Sequence, residues 1–232
     1  MTISFNSIPV GTRTHGVFVE FDSSRATNGL VAGINRILLI GQKLAAGSAT
    51  ALAPVTVTDG GQADLLFGRG SQLARMCRAL KLADRLVDPI AVPVNDEAAA
   101  TAATATITCT GPASAAGTIA LMIAGQRVPV TIASGSAATA IATAIAAAIS
   151  AAPDLPVTAT AAAAVVTVTA RHKGLCGNEI DLRHSYYVGE KLPTGVGLTL
   201  TAMAGGTGET DLAAVWAVIA DAPFSAIAIG TA

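Results

Sequence analysis

Arg36-Ile37-Leu38-Leu39-Ile40-Gly41-Gln42 decides the fold. Four large aliphatic residues run together between Arg36 and Gly41. The run is too short for a helix and too continuous for a strand with one wet face. It reads as a strand buried on both faces, as in a sheet with helices above and below. Burying each such side chain is worth roughly 1.5–3 kcal/mol, so the segment is a nucleus for the first half of the chain.

Working outward, residues 26–95 carry an α/β texture. A Gly/Ala/Ser stretch leads to Pro54 and the strand-like Val55-Thr56-Val57-Thr58. Asp59, with Gln62 three residues on, has the capping-box pattern and predicts a short helix that buries Ala63, Leu66 and Phe67 and stops at Gly68. Ser71 is the expected cap of a second helix. There Leu73, Met76, Cys77 and Leu80 share one face, while Gln72, Arg75, Arg78 and Lys81 read as a solvated cationic face. Asp88 to Val94 reads as another buried strand. On the N-terminal side, residues 1–25 look like an arm, with Val17, Val19 and Phe21 on one face of a strand. That strand is either the ordinary first strand of the domain or an extension that joins another subunit's sheet edge.

The texture changes at Asn95. Residues 96–206 are rich in Ala, Thr, Val and Gly and mostly alternate. Ile107 and Cys109 alternate with threonines. Ile119, Leu121 and Ile123 do so before a Gly125-Gln126 turn, and Val128, Val130 and Ile132 after it. Val166 and Val168 continue the pattern; Ile180, Leu182, His184 and Tyr186 share a face, as do Val196, Leu198 and Leu200. Threonine suits such strands because its branched Cβ fits a pleated surface. One helix is expected over 136–152, where Ile141, Ile145 and Ile149 form a stripe among alanines and Pro153 ends the run. The segment therefore reads as an inserted β-rich domain of about seven strands and one Ala-rich helix.

From residue 207 the helical period returns. Leu212, Val215, Trp216 and Ile219 are expected on one helix face, followed by a buried strand at Ser225–Gly230. The fold class is thus α/β in its parts and α+β overall: a layered α/β core (26–95 and 207–232) interrupted by the insert. A core strand so close to Ala232 leads us to expect that a covering part of the sheet lies outside this sequence.

Composition narrows the function. The 232 residues carry a formal net charge of −1 with no basic stripe, which argues against nucleic-acid binding. Aromatics make up only 3% and charged residues 12%, and alanine dominates the apolar fraction, so the core should be built of small residues, threonine-rich and finely packed. Mean hydropathy is +0.59 and no charge falls between Val128 and Pro153. Yet Pro129, Gly135 and many hydroxyl residues interrupt that run, so no membrane insertion is expected. The N-terminus shows no signal-peptide pattern. Cys77, Cys109 and Cys176 have no metal spacing and read as inert thiols. His15, His172 and His184 are scattered. Gly205-Gly206-Thr207-Gly208 opens a helix but lacks the Gly-Lys-Ser/Thr of a phosphate loop, so it reads as a linker rejoining two domains. Gly68-Arg69-Gly70-Ser71 is not a nucleophile elbow. No catalytic, cofactor or metal site emerges, which points to a non-enzymatic role.

Three stretches resemble the Mu-like tail sheath proteins of contractile-tailed phages. The first is Gly16-Val17-Phe18-Val19-Glu20-Phe21-Asp22, followed by Arg36–Gln42. The second is Ala63-Asp64-Leu65-Leu66-Phe67-Gly68-Arg69-Gly70-Ser71. The third is Thr169-Ala170-Arg171-His172-Lys173-Gly174, running to Gly177-Asn178-Glu179-Ile180-Asp181-Leu182-Arg183. The resemblance implies a structural subunit that polymerises with copies of itself around a tail tube and shortens on triggering. It implies an inserted domain facing outward, and contact with tube and baseplate through a C-terminal part that this sequence lacks. By the same resemblance Val17, Phe18, Val19, Glu20 and Phe21 are the candidate subunit-linking strand. Three other readings stay open on the residues alone: a glycan- or surface-binding β module, a nucleotide-binding enzyme, and the sheath of a pyocin-like or secretion-type device.

Overall fold

The structure is a computed structural model and describes residues 36–230. The arm at 1–25, with the Val17–Phe21 strand, lies outside the described residues. Elements follow in the order β1 (Ile37–Gln42), β2 (Val55–Thr56), α1 (Gly60–Phe67), α2 (Gln72–Ala83) and β3 (Ile90–Val94). Next come β4 (Ala102–Thr110), β5 (Gly117–Ile123), β6 (Gln126–Ile132), α3 (Ala138–Ser150), β7 (Val157–Ala162) and β8 (Val165–Lys173). A 3-10 turn at Leu175–Glu179 precedes β9 (Leu182–His184) and β10 (Gly197–Leu200). The chain then forms α4 (Ala213–Ile219) and β11 (Ala226–Ile229).

One sheet has the order β11-β1-β3-β2, so strands from either side of the β-rich stretch meet on β1. β1 runs parallel to both β3 and β11, while the short β2 pairs antiparallel to β3. The continuous apolar run of β1 is explained by its two faces. Leu39 packs with Phe67, Leu73 and Cys77 under α1 and α2, whereas Leu38 and Ile40 pack with Val92, Val215 and Ile219 under α4. The period-2 alternation of a strand sends neighbours to opposite sides, so a strand covered on both needs apolar residues throughout.

The β-rich stretch folds as two antiparallel sheets, β10-β4-β8-β7 and β6-β5-β9. Their inner faces meet in one core built from Ile107, Ile119, Leu121, Ile123, Val166 and Val168. Helix α3 contributes the fully buried stripe Ile141, Ile145 and Ile149 to that core. On the outer face of the larger sheet threonines stand in cross-strand rows, Thr106 beside Thr167 and Thr167 beside Thr160. The whole is α+β.

Several local expectations need correction. The capping box at α1 is shifted: Asp59 accepts from the N–H of Gly61 at 2.8 Å, and Gln62 accepts from the N–H of Thr58, not of Asp59. The β5–β6 turn is Ala124-Gly125, one residue earlier than the pattern suggested. Both residues have positive φ, as a two-residue hairpin of the right twist requires. β9 spans only three residues, because Ser185 turns at φ 49 and throws Tyr186 into solvent. Trp216 is half exposed although Val215 and Ile219 beside it are buried. The largest difference concerns β11, expected to be a buried strand. Ile227 and Ile229 are 48% and 44% exposed. They sit in register beside Leu38 and Ile40, on the α4 face, but α4 has only seven residues and is about 10 Å long. Ala226 and Ala228, on the opposite face, are exposed as well, so β11 is open on both faces among the described residues.

Candidate functional site

Three of the four buried polar side chains among the described residues, Gln42, Ser71 and His172, gather where the β1 sheet meets the sandwich. The chain passes outward over residues 95–101 and returns over 204–212. The two passages are zipped together by bridges between Thr101 and Thr207 and between Thr104 and Ala204. Two glycines of the return passage, Gly206 and Gly208, are packing glycines. A Cβ on Gly206 would lie 2.4 Å from the carbonyl oxygen of Gly174, and one on Gly208 would lie 2.7 Å from Ala100 Cβ. The Gly205–Gly208 motif is therefore a close backbone approach at a neck.

His172, near the end of β8, is 6% exposed. Its Nε2 accepts the backbone N–H of Gln72 at 3.0 Å, and its Nδ1 lies 2.9 Å from Asp96 Oδ1. An acceptor at Nε2 fixes the tautomer, with the proton on Nδ1 donated to Asp96. Asp96 Oδ2 also accepts the N–H of Lys173 at 2.9 Å. Gln72 is the first residue of α2, and its N–H is one of the four that a helix cannot satisfy internally. Ser71 caps the N–H of Ala74, and His172 supplies the acceptor for Gln72 from the other side of the junction. Gln42 closes β1 in the same manner. Buried, it donates from Nε2 to the Lys173 carbonyl and to Thr210 Oγ1, each at 3.1 Å, while its Oε1 accepts from the Cys176 thiol at 3.5 Å.

A second cluster is ionic. Asp154, just after α3, accepts from Arg69 Nε at 2.8 Å and Nη2 at 3.1 Å, and also pairs with Arg78. Arg78 in turn pairs with Asp64, whose Oδ1 is buried without a partner among the described residues. The hydrogen bond from Arg69, reinforced by Arg78 and only partly offset by burial, holds the Asp154 carboxyl down at about 2. Gly70, at φ +84, brings the α1–α2 loop against this corner, where a Cβ would lie 2.4 Å from the Pro153 carbonyl oxygen. The cationic side of α2 is therefore not a solvated face. Arg78 bridges to the sandwich, and Lys81 is buried in a pair with Asp88.

The contacts named here hold the β1 sheet and the sandwich together. Burial raises all three thiols, Cys77 to about 12. The cavity between Gln72, His172 and Cys176 holds about 90 Å³, under the ~300–1,000 Å³ of small-molecule sites, while a hollow at the same junction beside Lys43, Asp96 and Arg171 holds about 560 Å³. Among the described residues no group of His, Cys, Asp and Glu is placed to hold a metal, and no helix is long and apolar enough to cross a membrane. The proposed linking residues Val17, Phe18, Val19, Glu20 and Phe21 lie outside the described residues. His172, set aside in the sequence as one of three scattered histidines, is the residue that reading missed. Its one signal is position, at the end of an alternating strand inside the Thr169–Gly174 stretch.

A sheet covered by helices on both faces and completed by strands distant in sequence carries a β-sandwich through a zipped neck. Residues 98–199 match the family model described as the phage tail sheath protein beta-sandwich domain. Over 212 residues, 91% of the chain, the sequence is 41% identical to the Mu-like prophage FluMu tail sheath protein of Haemophilus influenzae. The matched region is 44% of that protein, so the chain spans less than half the length of the curated relative it matches.

Proposed function

We propose that this chain is part of a structural subunit of a contractile tail sheath. Copies of it polymerise around a tail tube, and the polymer shortens to drive the tube through the host envelope. The observation that carries the reading is the 41% identity, which runs through scaffold and sandwich alike and is not confined to the sandwich. In this reading residues 26–95 and 207–232 form the scaffold domain and 96–206 the inserted domain. The work is mechanical, with no cofactor and no bond chemistry.

The partners are copies of the chain, through the Val17–Phe21 strand, and the tube and baseplate, through regions outside this sequence. Assembly takes place in the host cytoplasm and the product is a virion tail. The clasp of Asp96, His172 and Gln42 suits that role, because rigid-body motion of subunits needs domains that do not slip against one another.

Gold-labelled antibodies raised against residues 98–199 test the proposal on tails from particles that carry this protein. Label spaced along the contractile shaft, and absent from bare tube, is the expected result. Label confined to fibres or capsid would overturn it.

A further inference from the structure

Three guanidiniums, Arg69, Arg75 and Arg78, share the ionic corner with two carboxylates, Asp64 and Asp154. Arg69 donates to both oxygens of Asp154, at 2.8 and 3.1 Å, and Arg78 pairs with Asp154 and with Asp64. Each carboxylate thus already has its cation, and one positive charge is left over. It is that of Arg75, a half-buried side chain of α2 with no hydrogen-bond or ion-pair partner among the described residues. Burial pushes its pKa down, and the attraction of Asp154 offsets this only in part. A guanidinium does not give up its proton in a protein, so a desolvated one needs an acceptor. Arg171, a fourth guanidinium near Asp154, donates its Nε to the Leu155 carbonyl at 2.8 Å and lines a different hollow.

Arg75 lines a hollow of about 420 Å³ between α2 and the start of β6, within the ~300–1,000 Å³ of small-molecule sites. Gln72, Gln126, Arg78 and Asp154 line it as well, and Met76 and Ala79 give it an apolar wall. Gln72 Oε1 accepts from the N–H of Gln42 at 3.4 Å, which leaves its Nε2 donors unengaged among the described residues. The Gln126 side-chain amide likewise has no partner there. From this geometry we infer that the hollow is a binding site for an aliphatic carboxylate. The guanidinium fork of Arg75 matches the two oxygens of such a group, and charge-assisted bonds of this type are the strong ones. The two glutamine amides add neutral donors. Met76 and Ala79 match the carbon chain behind the carboxylate, whereas inorganic phosphate would press charged oxygens against them. Asp154 does not repel the ligand, because Arg69 and Arg78 already offset its charge. A free carboxylic acid and an acidic side chain of a second copy present the same group. The inference stands on these residues alone and does not depend on the chain being a sheath subunit.

The test is an NMR titration of the full 232-residue chain with sodium butyrate, against sodium chloride at equal ionic strength. Butyrate should move the Arg75 Nε–H and the side-chain amides of Gln72 and Gln126, saturating with a dissociation constant on the order of 10 mM. Arg75→Gln should weaken that binding at least tenfold with amide shifts elsewhere unchanged. Arg75→Lys keeps the charge and loses the fork, and its affinity should fall between the two; it serves as the second variant if glutamine disturbs the helix. No saturation by about 100 mM, or saturation that Arg75→Gln leaves unaltered, would overturn the inference. So would inorganic phosphate that binds as tightly as butyrate. Sedimentation velocity on the same samples separates the two sources of the carboxylate. Butyrate that lowers the association state displaces an acidic side chain of a second copy, and butyrate that binds without changing it identifies a free acid.

Discussion

His172 Nε2 lies 3.0 Å from the backbone nitrogen of Gln72, one hundred residues away in sequence. A side chain of the sandwich thus satisfies the first N–H of a scaffold helix, and the helix start and the sandwich are ordered together. The same imidazole reaches Asp96 on the outgoing neck, so a single residue ties three segments.

Replacing His172 with Ala should therefore leave the Gln72 N–H and a carboxylate oxygen of Asp96 without partners in a part-buried site. The expected cost is about 2–3 kcal/mol of unfolding free energy, read from urea denaturation. Because Asp96 and His172 act as one unit, the double variant with Asp96→Ala should cost clearly less than the sum of the single changes.

The pH dependence of the ionic corner follows from Asp154. Its folded-state pKa, about 2, is below the unfolded value near 3.9. Its contribution to stability is therefore complete above the unfolded value and is lost as pH falls through the folded one. The Asp154 side chain is 35% exposed, so screening reduces the contribution to about 1 kcal/mol. Asp154→Asn should be less stable than the parent by that amount at neutral pH. The gap should close between about pH 4 and pH 2, as followed by denaturant unfolding at each pH.

Two adjacent glycines of the neck should respond differently to alanine. Gly206→Ala drives a Cβ to within 2.4 Å of the Gly174 carbonyl oxygen, and strain of this type costs roughly 2 kcal/mol or more. Gly205 has open space around its missing Cβ and only a φ of +81 to set against alanine, worth about 1–2 kcal/mol. Thermal unfolding of the two variants should rank them in that order.

The arm makes a separate prediction. In a full-length protein, Val19→Pro should abolish sheath-like polymer while leaving a folded monomer, because proline removes a donor from the proposed shared strand. Electron microscopy and circular dichroism together read both halves. Unchanged polymers would remove Val17–Phe21 from the linking role.

Much of the architecture was legible because it is written in local period. The run at Ile37–Ile40 announced a strand covered on both faces, the alternation through Cys109 gave β4, and the isoleucine stripe gave α3. β7 was harder to read: in Val157–Ala162 alanine and threonine give little contrast between faces, and none of the stretches singled out falls on it. The clasp was illegible for a different reason. Period tells which face of an element is covered but not by what. Arg78 looked solvated because its partner Asp154 lies 76 residues further on. β11 looked buried because its four residues are apolar, whereas it is the edge strand of its sheet and is exposed on both faces.

The most direct test of the central claim is a helical reconstruction, by cryo-electron microscopy, of contractile tails that carry this protein. The account predicts a repeating subunit wrapped around the tube, into whose density the β11-β1-β3-β2 sheet and its attached sandwich fit together. Sheath density that cannot accommodate residues 36–230, or density for this chain only in fibres or capsid, would contradict it.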